Sequence, residues 1–373
     1  KNAEISDSKI LVIGGAGTIG SAFIKALLPY RPGALYVVDH SENGLTELTR
    51  DLRSTNGLYV PEKYLTWPLD FGGEVFAKML RREGPFDIVA NFAAHKHVRS
   101  EKDPYAIEAM IRNNVFSNRR LLHLLAEQPP RHFFCVSTDK AANPANVMGA
   151  TKKLMEELLL AWSDELPCTT ARFANVAFSN GSLPAGFLER IAKQQPLSAP
   201  LDVQRYFVSP EESGQLCLLA CVLGKPGEIF FPKLETSQMK RFSDIAEDLL
   251  RNLGYEPHHC ASEEEARKMA AERKPGDKKY PVYFFSSSTD GEKPYEEFFT
   301  DAEKTDLNRF ESLGVIEPTT LPDRTRIEEK IERLAALFSE GNIPEKSRIV
   351  SLLQEMVPGY QPVLTGAGLD GRM

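Results

Sequence analysis

Residues 9–20 read KILVIGGAGTIG, a short apolar run followed by three glycines. The apolar residues Ile10–Ile13 predict a buried strand, and a helix is predicted to begin after Gly17. In this context Gly14 permits a tight turn, Gly17 lets an anion approach backbone N–H groups, and Gly20 lets the helix and the strand pack closely. The stretch therefore predicts a cradle for the pyrophosphate of a dinucleotide at the positive end of a helix.

Outward from this stretch, short apolar runs alternate with segments of helical period as far as about Arg172. This alternation is typical of a parallel sheet with helices on both faces. Strands are predicted at Ile10–Ile13, Leu35–Asp39, Tyr64–Trp67, Asp87–Phe92, His132–Ser137 and Thr169–Phe173. Helices are predicted after Gly17, Asn43, Gly73, Pro104 and Asn146. The predicted fold class is α/β, a Rossmann-like doubly wound parallel sheet with a smaller mixed C-terminal lobe.

Beyond Arg172 the glycine and proline pattern becomes irregular, which predicts a separate substrate-binding lobe. The later predictions are helices at Glu211–Leu223, Ser262–Arg273, Arg324–Ser339 and Glu345–Met356, and a loop at Ser286–Gly291. We therefore predict a dinucleotide-binding domain over residues 1–175 with returning segments after 200. A substrate-binding lobe over 176–300 and a helical extension over 301–373 are predicted to follow.

Composition limits the classes of function. The 373 residues are 42% hydrophobic, and the net charge of −7 leaves no basic stripe for nucleic acid. The five cysteines lack paired spacing, and His258, His259 and Cys260 are expected to lie in a loop, so no metal is predicted. The longest apolar stretch, Leu216–Leu223, is far shorter than the ~20 residues of a membrane span. With no signal-like segment after Lys1, we expect a soluble, cytoplasmic protein.

The dinucleotide is predicted to be NAD. Asp39 lies nineteen residues after Gly20 at the end of the next predicted strand, where its carboxylate would accept hydrogen bonds from the adenosine ribose. Asp70 is predicted to hold the adenine amine, although a surface aspartate in a turn is the alternative. Thr18, Ile19 and Ala93 complete the predicted cofactor contacts. A chance glycine-rich turn is the alternative to the whole motif.

The run STDKAANPANVMGATKKLMEE, residues 137–157, begins at the carboxyl end of a predicted strand and enters a helix. Open α/β sheets place their chemistry at that edge. Short-chain dehydrogenases carry Tyr-x-x-x-Lys here, but Met148 occupies the tyrosine position, while Lys152 keeps its place one helical turn later. A thioether cannot transfer a proton, so another group must act as the base. Core packing is the alternative role of Met148.

The triplet Thr138, Asp139 and Lys140 resembles that of the inverting nucleotide-sugar 4,6-dehydratases. Further segments are similar to motifs of the same family, from about Lys9 to Glu303: NFAAHKHVRSEKDP (91–104), Asn114, RFANV (172–176), RYFV (205–208) and DGEKPYEEFFTDAE (290–303). The wording of FANVAFS and IFFPKL is similar to the branch that makes precursors of bacillosamine or legionaminic acid.

The resemblance implies a reaction in which NAD takes a hydride from C4 of the sugar, water leaves across C5 and C6, and the hydride returns to C6. It implies Lys140 as the C5 base and Asp139 as the C6 acid, which requires a lowered lysine pKa and a raised carboxyl pKa. The C4 base is expected to be Thr138, or Asp139 through a water, supported by Lys152. The alternative is that the triplet is only a strand-to-helix loop.

Substrate contacts are predicted from the two phosphates of a sugar nucleotide. Arg205 and Asn175 are the predicted diphosphate contacts, and Lys96 is expected near the sugar or the nicotinamide, with a solvated loop lysine as the alternative. Met148 and Glu292 complete the predicted set. The family usually has Arg-Pro-Gly-Glu-Lys in the C-terminal loop, but Thr289 and Asp290 stand before Gly291 here, which favours a changed clamp or a base such as guanine.

The predicted function is therefore an NAD-dependent 4,6-dehydratase of a nucleotide-diphosphate N-acetylhexosamine, with UDP-N-acetylglucosamine as the first substrate. A nucleotide-sugar 4-epimerase and a non-catalytic NAD-sensing scaffold are the rivals. No nucleic-acid or membrane partner is expected. Helices near Arg119–Ala126 and Met155–Trp162 carry apolar residues on more than one face, which predicts either core burial or the helix-bundle contact of a homo-oligomer.

Overall fold

The computed structural model describes residues 2–97, 101, 103–287, 296–339 and 341–362. The chain divides into two compact units. Unit 1 comprises Lys1–Phe173, Pro210–Lys233 and Glu297–Pro362, and the described residues of unit 2 lie within Ala174–Ser209 and Leu234–Glu296. The chain therefore leaves unit 1 and returns to it twice.

The described strands, in chain order, are β1 Lys9–Ile13, β2 Ala34–Asp39, β3 Lys63–Pro68, β4 Ile88–Asn91, β5 His132–Val136, β6 Cys168–Ala171, β7 Asn175–Val176, β8 Leu197–Pro200, β9 Gln204–Arg205, β10 Phe207–Val208, β11 Ile229–Pro232, β12 Lys240–Arg241, β13 Glu256–His259, β14 Lys279–Phe285, β15 Lys304–Asp306 and β16 Leu313–Glu317.

The described α-helices are α1 Asn2–Ile5, α2 Thr18–Leu27, α3 Glu42–Ser54, α4 Glu74–Glu83, α5 Pro104–Ile111, α6 Ser117–Glu127, α7 Val147–Ala161, α8 Leu183–Ala192, α9 Pro210–Leu223, α10 Phe242–Asn252, α11 Glu263–Glu272, α12 Arg324–Ala336 and α13 Lys346–Met356. A π-helical turn, Arg112–Phe116, joins α5 to α6. Among the helices described, none is both long enough and apolar enough to span a bilayer.

Unit 1 is built on a nine-stranded sheet in the order β15-β16-β11-β6-β5-β4-β1-β2-β3. Strands β1 to β6 and β11 run parallel, β16 runs antiparallel to β11, and the edge strand β15 runs antiparallel to β16. The six strands predicted from the sequence form the doubly wound part, which confirms the predicted fold class. Sequence analysis missed β11, β15 and β16, which join the sheet only after the chain has passed through unit 2.

Successive residues of a buried strand point to opposite faces of the sheet, so each strand supplies two cores. Leu11 and Ile13 of β1 enter one core, and Ile10 and Val12 enter the other. Helices α4 to α7 cover the first core, and α2, α3 and α9 cover the second. Because both faces are covered, the central strands are continuous apolar runs, which is the signal that made them predictable.

Helices α12 and α13 pack on α7 within unit 1. Ile331 and Leu334 of α12 belong to the same core as Leu154 and Leu158 of α7. Lys330 pairs with Glu157 at 3.2 Å, at the edge of this contact. The sequence predicts either core burial or a subunit contact for the extra apolar face of α7. In the structure α12 and α13 of the same chain cover this face.

Unit 2 contains a three-stranded parallel sheet in the order β13-β14-β8. Two short pairs accompany it, β7 with β10 and β9 with β12. Its core includes Phe187 of α8, Leu250 of α10 and Tyr280 of β14. The residues described here and in unit 1 contain no cluster of three His, Cys, Asp or Glu side chains suited to a metal ion.

Candidate active site

The glycine turn after β1 has a backbone that side chains would disrupt. Gly14 has a φ of +72°, and a Cβ on it would lie 2.5 Å from the backbone nitrogen of Ala93. A Cβ on Gly20 would lie 2.3 Å from the carbonyl oxygen of Gly14. The first glycine thus allows the turn to pass under the end of β4, and the third presses α2 against the turn.

The space beside this turn suits a pyrophosphate. Gly17 is the N-cap of α2 and, having no side chain, leaves the approach to the first helical turn unobstructed. Thr18 and Ile19 form that first turn, where the helix dipole and the backbone N–H groups favour an anion. The geometry fits the diphosphate of a dinucleotide.

Asp39 lies at the end of β2, beside the glycine turn. Its carboxylate accepts from the N–H of Ala16 at 3.0 Å and from the N–H of Ser41 at 2.9 Å, and its side chain is 7% exposed. A buried carboxylate held in this way is oriented before any ribose hydroxyl arrives. Asp70, in contrast, is exposed and accepts from the N–H of Gly72 at 2.9 Å, so the predicted alternative of a turn aspartate describes its contacts.

The segment after β4 is held by asparagines. Asn91 accepts from the N–H of Ala93, and Asn114, in the π-helical turn, both accepts from the N–H and donates to the carbonyl of His95, each at 3.0 Å. Lys96 follows with an exposed side chain, and partial desolvation by the surrounding protein atoms lowers the pKa of its ammonium group. The asparagines therefore fix the backbone that presents Ala93 and Lys96 at the carboxyl edge of the sheet.

The triplet after β5 forms one hydrogen-bonded group. The Thr138 hydroxyl donates to Asp139 Oδ1 at 2.8 Å, and Lys140 Nζ lies 3.1 Å from Oδ1 and 3.3 Å from Oδ2 of the same carboxylate. Asp139 is 6% exposed and the Lys140 side chain 27% exposed. A nearly buried carboxylate thus contacts both a hydroxyl and an amino group that solvent can reach, and the two share Oδ1.

Lys152 and Met148 lie on α7, whose N-cap is Asn146. Lys152 is 2% exposed, its Nζ donates to the carbonyl of Val136 at 3.0 Å, and burial lowers its pKa. This contact places the amine at the end of β5. Met148 is 2% exposed and belongs to the core, so the alternative role of packing describes its position.

A buried ion network behind the triplet was missed by the sequence analysis. Arg172 is fully buried, and its guanidinium donates to both oxygens of Glu156 and both of Glu303, at 2.7 to 2.9 Å. The Ser137 hydroxyl donates to Glu156 at 2.6 Å. Burial opposes ionisation of Glu303, but Arg172 outweighs it and, with Lys153, lowers the pKa of Glu303 to about 2. The sequence shows Arg172 only as part of the RFANV motif and gives no sign of these partners.

In unit 2 the Glu296 carboxylate holds one predicted substrate residue, Asn175, and the backbone next to the other, Arg205. Asn175 Nδ2 donates to Glu296 Oε1, and the N–H of Tyr206 donates to Glu296 Oε2 at 2.7 Å. Arg205 is 6% exposed and donates to the carbonyl of Gln204 at 2.8 Å. Glu292, with Thr289 and Asp290, lies outside the described residues.

A family model described as polysaccharide biosynthesis protein matches residues 10–318, most of the chain. The chain belongs to this family. The resemblance read from the triplet and its neighbouring motifs is thereby confirmed at the level of the family. The match spans unit 1 up to β16 and the described part of unit 2.

The relatives share a quarter to a third of their residues with this chain. A Methanocaldococcus jannaschii protein described as an uncharacterized membrane protein is 33% identical, over 84% of this chain and 86% of that protein. The inverting UDP-N-acetylglucosamine 4,6-dehydratase of Campylobacter jejuni is 27% identical, over 66% of this chain and 72% of the enzyme. The Staphylococcus aureus capsular polysaccharide biosynthesis protein CapD is 29% identical over 79% of this chain but 48% of that protein, so this chain spans about half of its length.

Two solved structures illustrate the shared fold. Pen from Bacillus thuringiensis matches with a TM-score of 0.69 at 22% identity, over 89% of this chain and 98% of that one. DesIV, a dTDP-glucose 4,6-dehydratase from Streptomyces venezuelae solved with NAD, matches with a TM-score of 0.55 at 20% identity, over 73% and 87% of the two chains. At these identities the likeness shows the fold alone.

Proposed function

We propose that this protein is an NAD-dependent 4,6-dehydratase of a nucleotide-activated N-acetylhexosamine, with UDP-N-acetylglucosamine as its first substrate. The observation that carries the proposal is the Asp139 carboxylate, which contacts both the Thr138 hydroxyl and the Lys140 ammonium group at the end of β5. An acid and a base side by side are what removal of water from neighbouring carbons requires. The Campylobacter jejuni relative that carries this activity by name supports the same choice.

The proposed cofactor is NAD, which when bound would accept a hydride from C4 of the sugar and return it to C6. Gly14, Gly17 and Gly20 would hold its pyrophosphate, and Asp39 the hydroxyls of its adenosine ribose. Lys152 would donate to the nicotinamide ribose from the end of β5. Its Nζ is buried and donates to the Val136 carbonyl at 3.0 Å, which holds the amine at that edge of the sheet.

The C4 hydroxyl needs a base, and the Met148 thioether cannot accept its proton. The 2.8 Å contact supports a relay in which Thr138 Oγ takes the C4 hydroxyl proton while its own proton passes to Asp139. Oxidation at C4 then leaves Asp139 protonated. The group that served as base in this step becomes the acid that the next step requires.

Elimination follows from the same pair. The C4 ketone acidifies the C5 proton. Lys140 first releases a proton to solvent and then removes the C5 proton as a free amine, while protonated Asp139 delivers its proton to the departing C6 oxygen. Water leaves carrying the proton that came from the C4 hydroxyl. Lys140 returns the C5 proton when C6 is reduced and then regains a proton from solvent, so both side chains end in their starting states and the product is a 4-keto-6-deoxy sugar. We extend the proposal to the branch that leads to bacillosamine or legionaminic acid.

The experiment is incubation of the protein and NAD with UDP- and GDP-linked N-acetylglucosamine, followed by mass spectrometry. A product lighter by one water supports the dehydratase. A product of equal mass would indicate the epimerase, and no turnover of either nucleotide sugar would favour the non-catalytic sensor.

The base assignment is tested by Lys140→Ala. We expect this variant to bind NAD normally and to lose water elimination, because the C5 proton has no other amine in the triplet to receive it. Lys193→Ala, at a side chain 60% exposed in unit 2, is the matched control and should turn over like the parent. Normal turnover by Lys140→Ala would refute the assignment.

A further inference from the structure

The first turn of α7 is capped by a carboxylate from far away in the sequence. Glu101 Oε1 accepts from the N–H of Met148 at 2.7 Å, and Oε2 accepts from the N–H of Val147 at 3.0 Å. Asn146 accepts from the N–H of Gly149 at 2.7 Å. The first N–H groups of a helix lack partners within it, so these two side chains satisfy three donors of this turn. The Glu101 charge also opposes the positive end of the helix dipole.

This turn of α7 presses directly on the backbone of Lys140. A Cβ on Gly149 would lie 2.5 Å from the carbonyl oxygen of Lys140, so the two segments are already in close contact. Any shift of the helical turn along this contact would displace Lys140. The cap on α7 therefore acts on the place of the proposed C5 base.

The C-terminal part of unit 1 holds the cap in turn. Lys346 Nζ, at the start of α13, donates to the carbonyl of Glu101 at 2.7 Å. The N–H of Gln361 donates to the carbonyl of Pro144 at 3.1 Å, in the loop between the triplet and α7. Tyr360 beside it is 5% exposed. Two segments more than two hundred residues beyond the triplet thus hold the backbone of Glu101 and the loop that precedes α7.

We propose that Glu101 is a positioning residue for the dehydratase reaction: with Lys346 it fixes the first turn of α7, and through Gly149 it fixes Lys140. The effect on catalysis rests on the proposed function. The contacts that join Lys346, Glu101 and the first turn of α7, called the clamp below, are a feature of the fold and do not depend on it. Glu101 touches neither substrate nor cofactor in this role. Replacing Glu101 is expected to lower the rate of proton removal and to leave the binding of substrate and NAD unchanged.

The test compares Glu101→Gln and Glu101→Ala with Asp103→Ala. Asp103 caps α5 by accepting from the N–H of Ala106 at 2.9 Å, so it is a helix-capping acid nearby in the chain with no bond to α7. Since a misplacement of about 1 Å costs on the order of 100-fold in rate, we expect kcat to fall about 10- to 100-fold in Glu101→Ala and less in Glu101→Gln. KM and the affinity for NAD should change less than about 3-fold, and Asp103→Ala should keep the parent kcat.

Hydrogen–deuterium exchange supplies a readout that does not depend on turnover. Amides of residues 138–150 should exchange faster in Glu101→Gln and in the milder Lys346→Met variant, and should not change in Asp103→Ala. Unchanged exchange of residues 138–150 in Glu101→Gln and Lys346→Met would overturn the clamp. A loss of kcat in Asp103→Ala as large as that in Glu101→Ala would overturn it as well. If the parent protein removes no water from either nucleotide sugar, the proposed function fails, and the exchange data alone then decide whether the clamp exists.

Discussion

Replacing Arg172 by Met should cost this protein far more stability than the loss of a surface ion pair of the same length. Arg172 is fully buried and joins Glu156, also fully buried, to Glu303. Its removal leaves the Glu156 carboxylate without its bidentate partner in a place that water does not reach. Breaking a buried pair on one side costs about 3–5 kcal/mol, because the remaining charge loses its closest partner and gains no water in exchange.

The matched control is Arg333→Met. Arg333 and Glu355 also approach to 2.8 Å, but their side chains are 55% and 61% exposed, so water replaces the lost partner. The expected loss there is about 0–1 kcal/mol. At roughly 2–4 °C per kcal/mol for a domain of this size, Arg172→Met should lower Tm by about 6–20 °C and Arg333→Met by less than about 4 °C.

The assay is urea or thermal unfolding followed by circular dichroism, with both variants and the parent at neutral pH. Equal losses of unfolding free energy in the two variants, within about 0.5 kcal/mol, would refute the reasoning from burial. A larger loss in Arg333→Met would refute it as well.

Two further predictions follow from the same structure. Gly20→Ala should abolish NAD binding in a fluorescence titration, because the new Cβ would lie 2.3 Å from the Gly14 carbonyl oxygen, whereas Gly186→Ala, with nothing within 4 Å, should bind like the parent. The pKa of Glu303 is lowered from 4.5 to about 2, so the stability that its ionised form contributes is complete above pH 4.5 and is lost as the pH falls through about 2. Acid unfolding of Glu303→Gln should therefore depend less steeply on pH over that window, and an unchanged slope would contradict the assigned role.

Sequence alone determined the central sheet and the nucleotide turn of this protein. The first six strands, and the starts of the helices between them, were predicted to within two residues. The signal is clearest for the central strands, because strands buried on both faces must be apolar throughout. The roles of Gly14 and Gly20 were also predictable, since a tight turn against a strand and a helix excludes a Cβ wherever it occurs. Thr138, Asp139 and Lys140 are consecutive in the chain, so their mutual contact does not depend on distant segments.

Tertiary structure alone decided which distant residues complete the site. No sequence pattern near α7 indicates that Glu101 caps its first turn, or that Lys346 binds the carbonyl of Glu101. Arg172 was visible as part of a motif, but its pairing with Glu156 and Glu303 depends on how three separate segments pack. Periodicity and turn preferences depend on residues that are neighbours in the chain, so the sequence alone reveals them. The contacts of Glu101 and Arg172 join segments far apart in the chain, so only the tertiary structure reveals them.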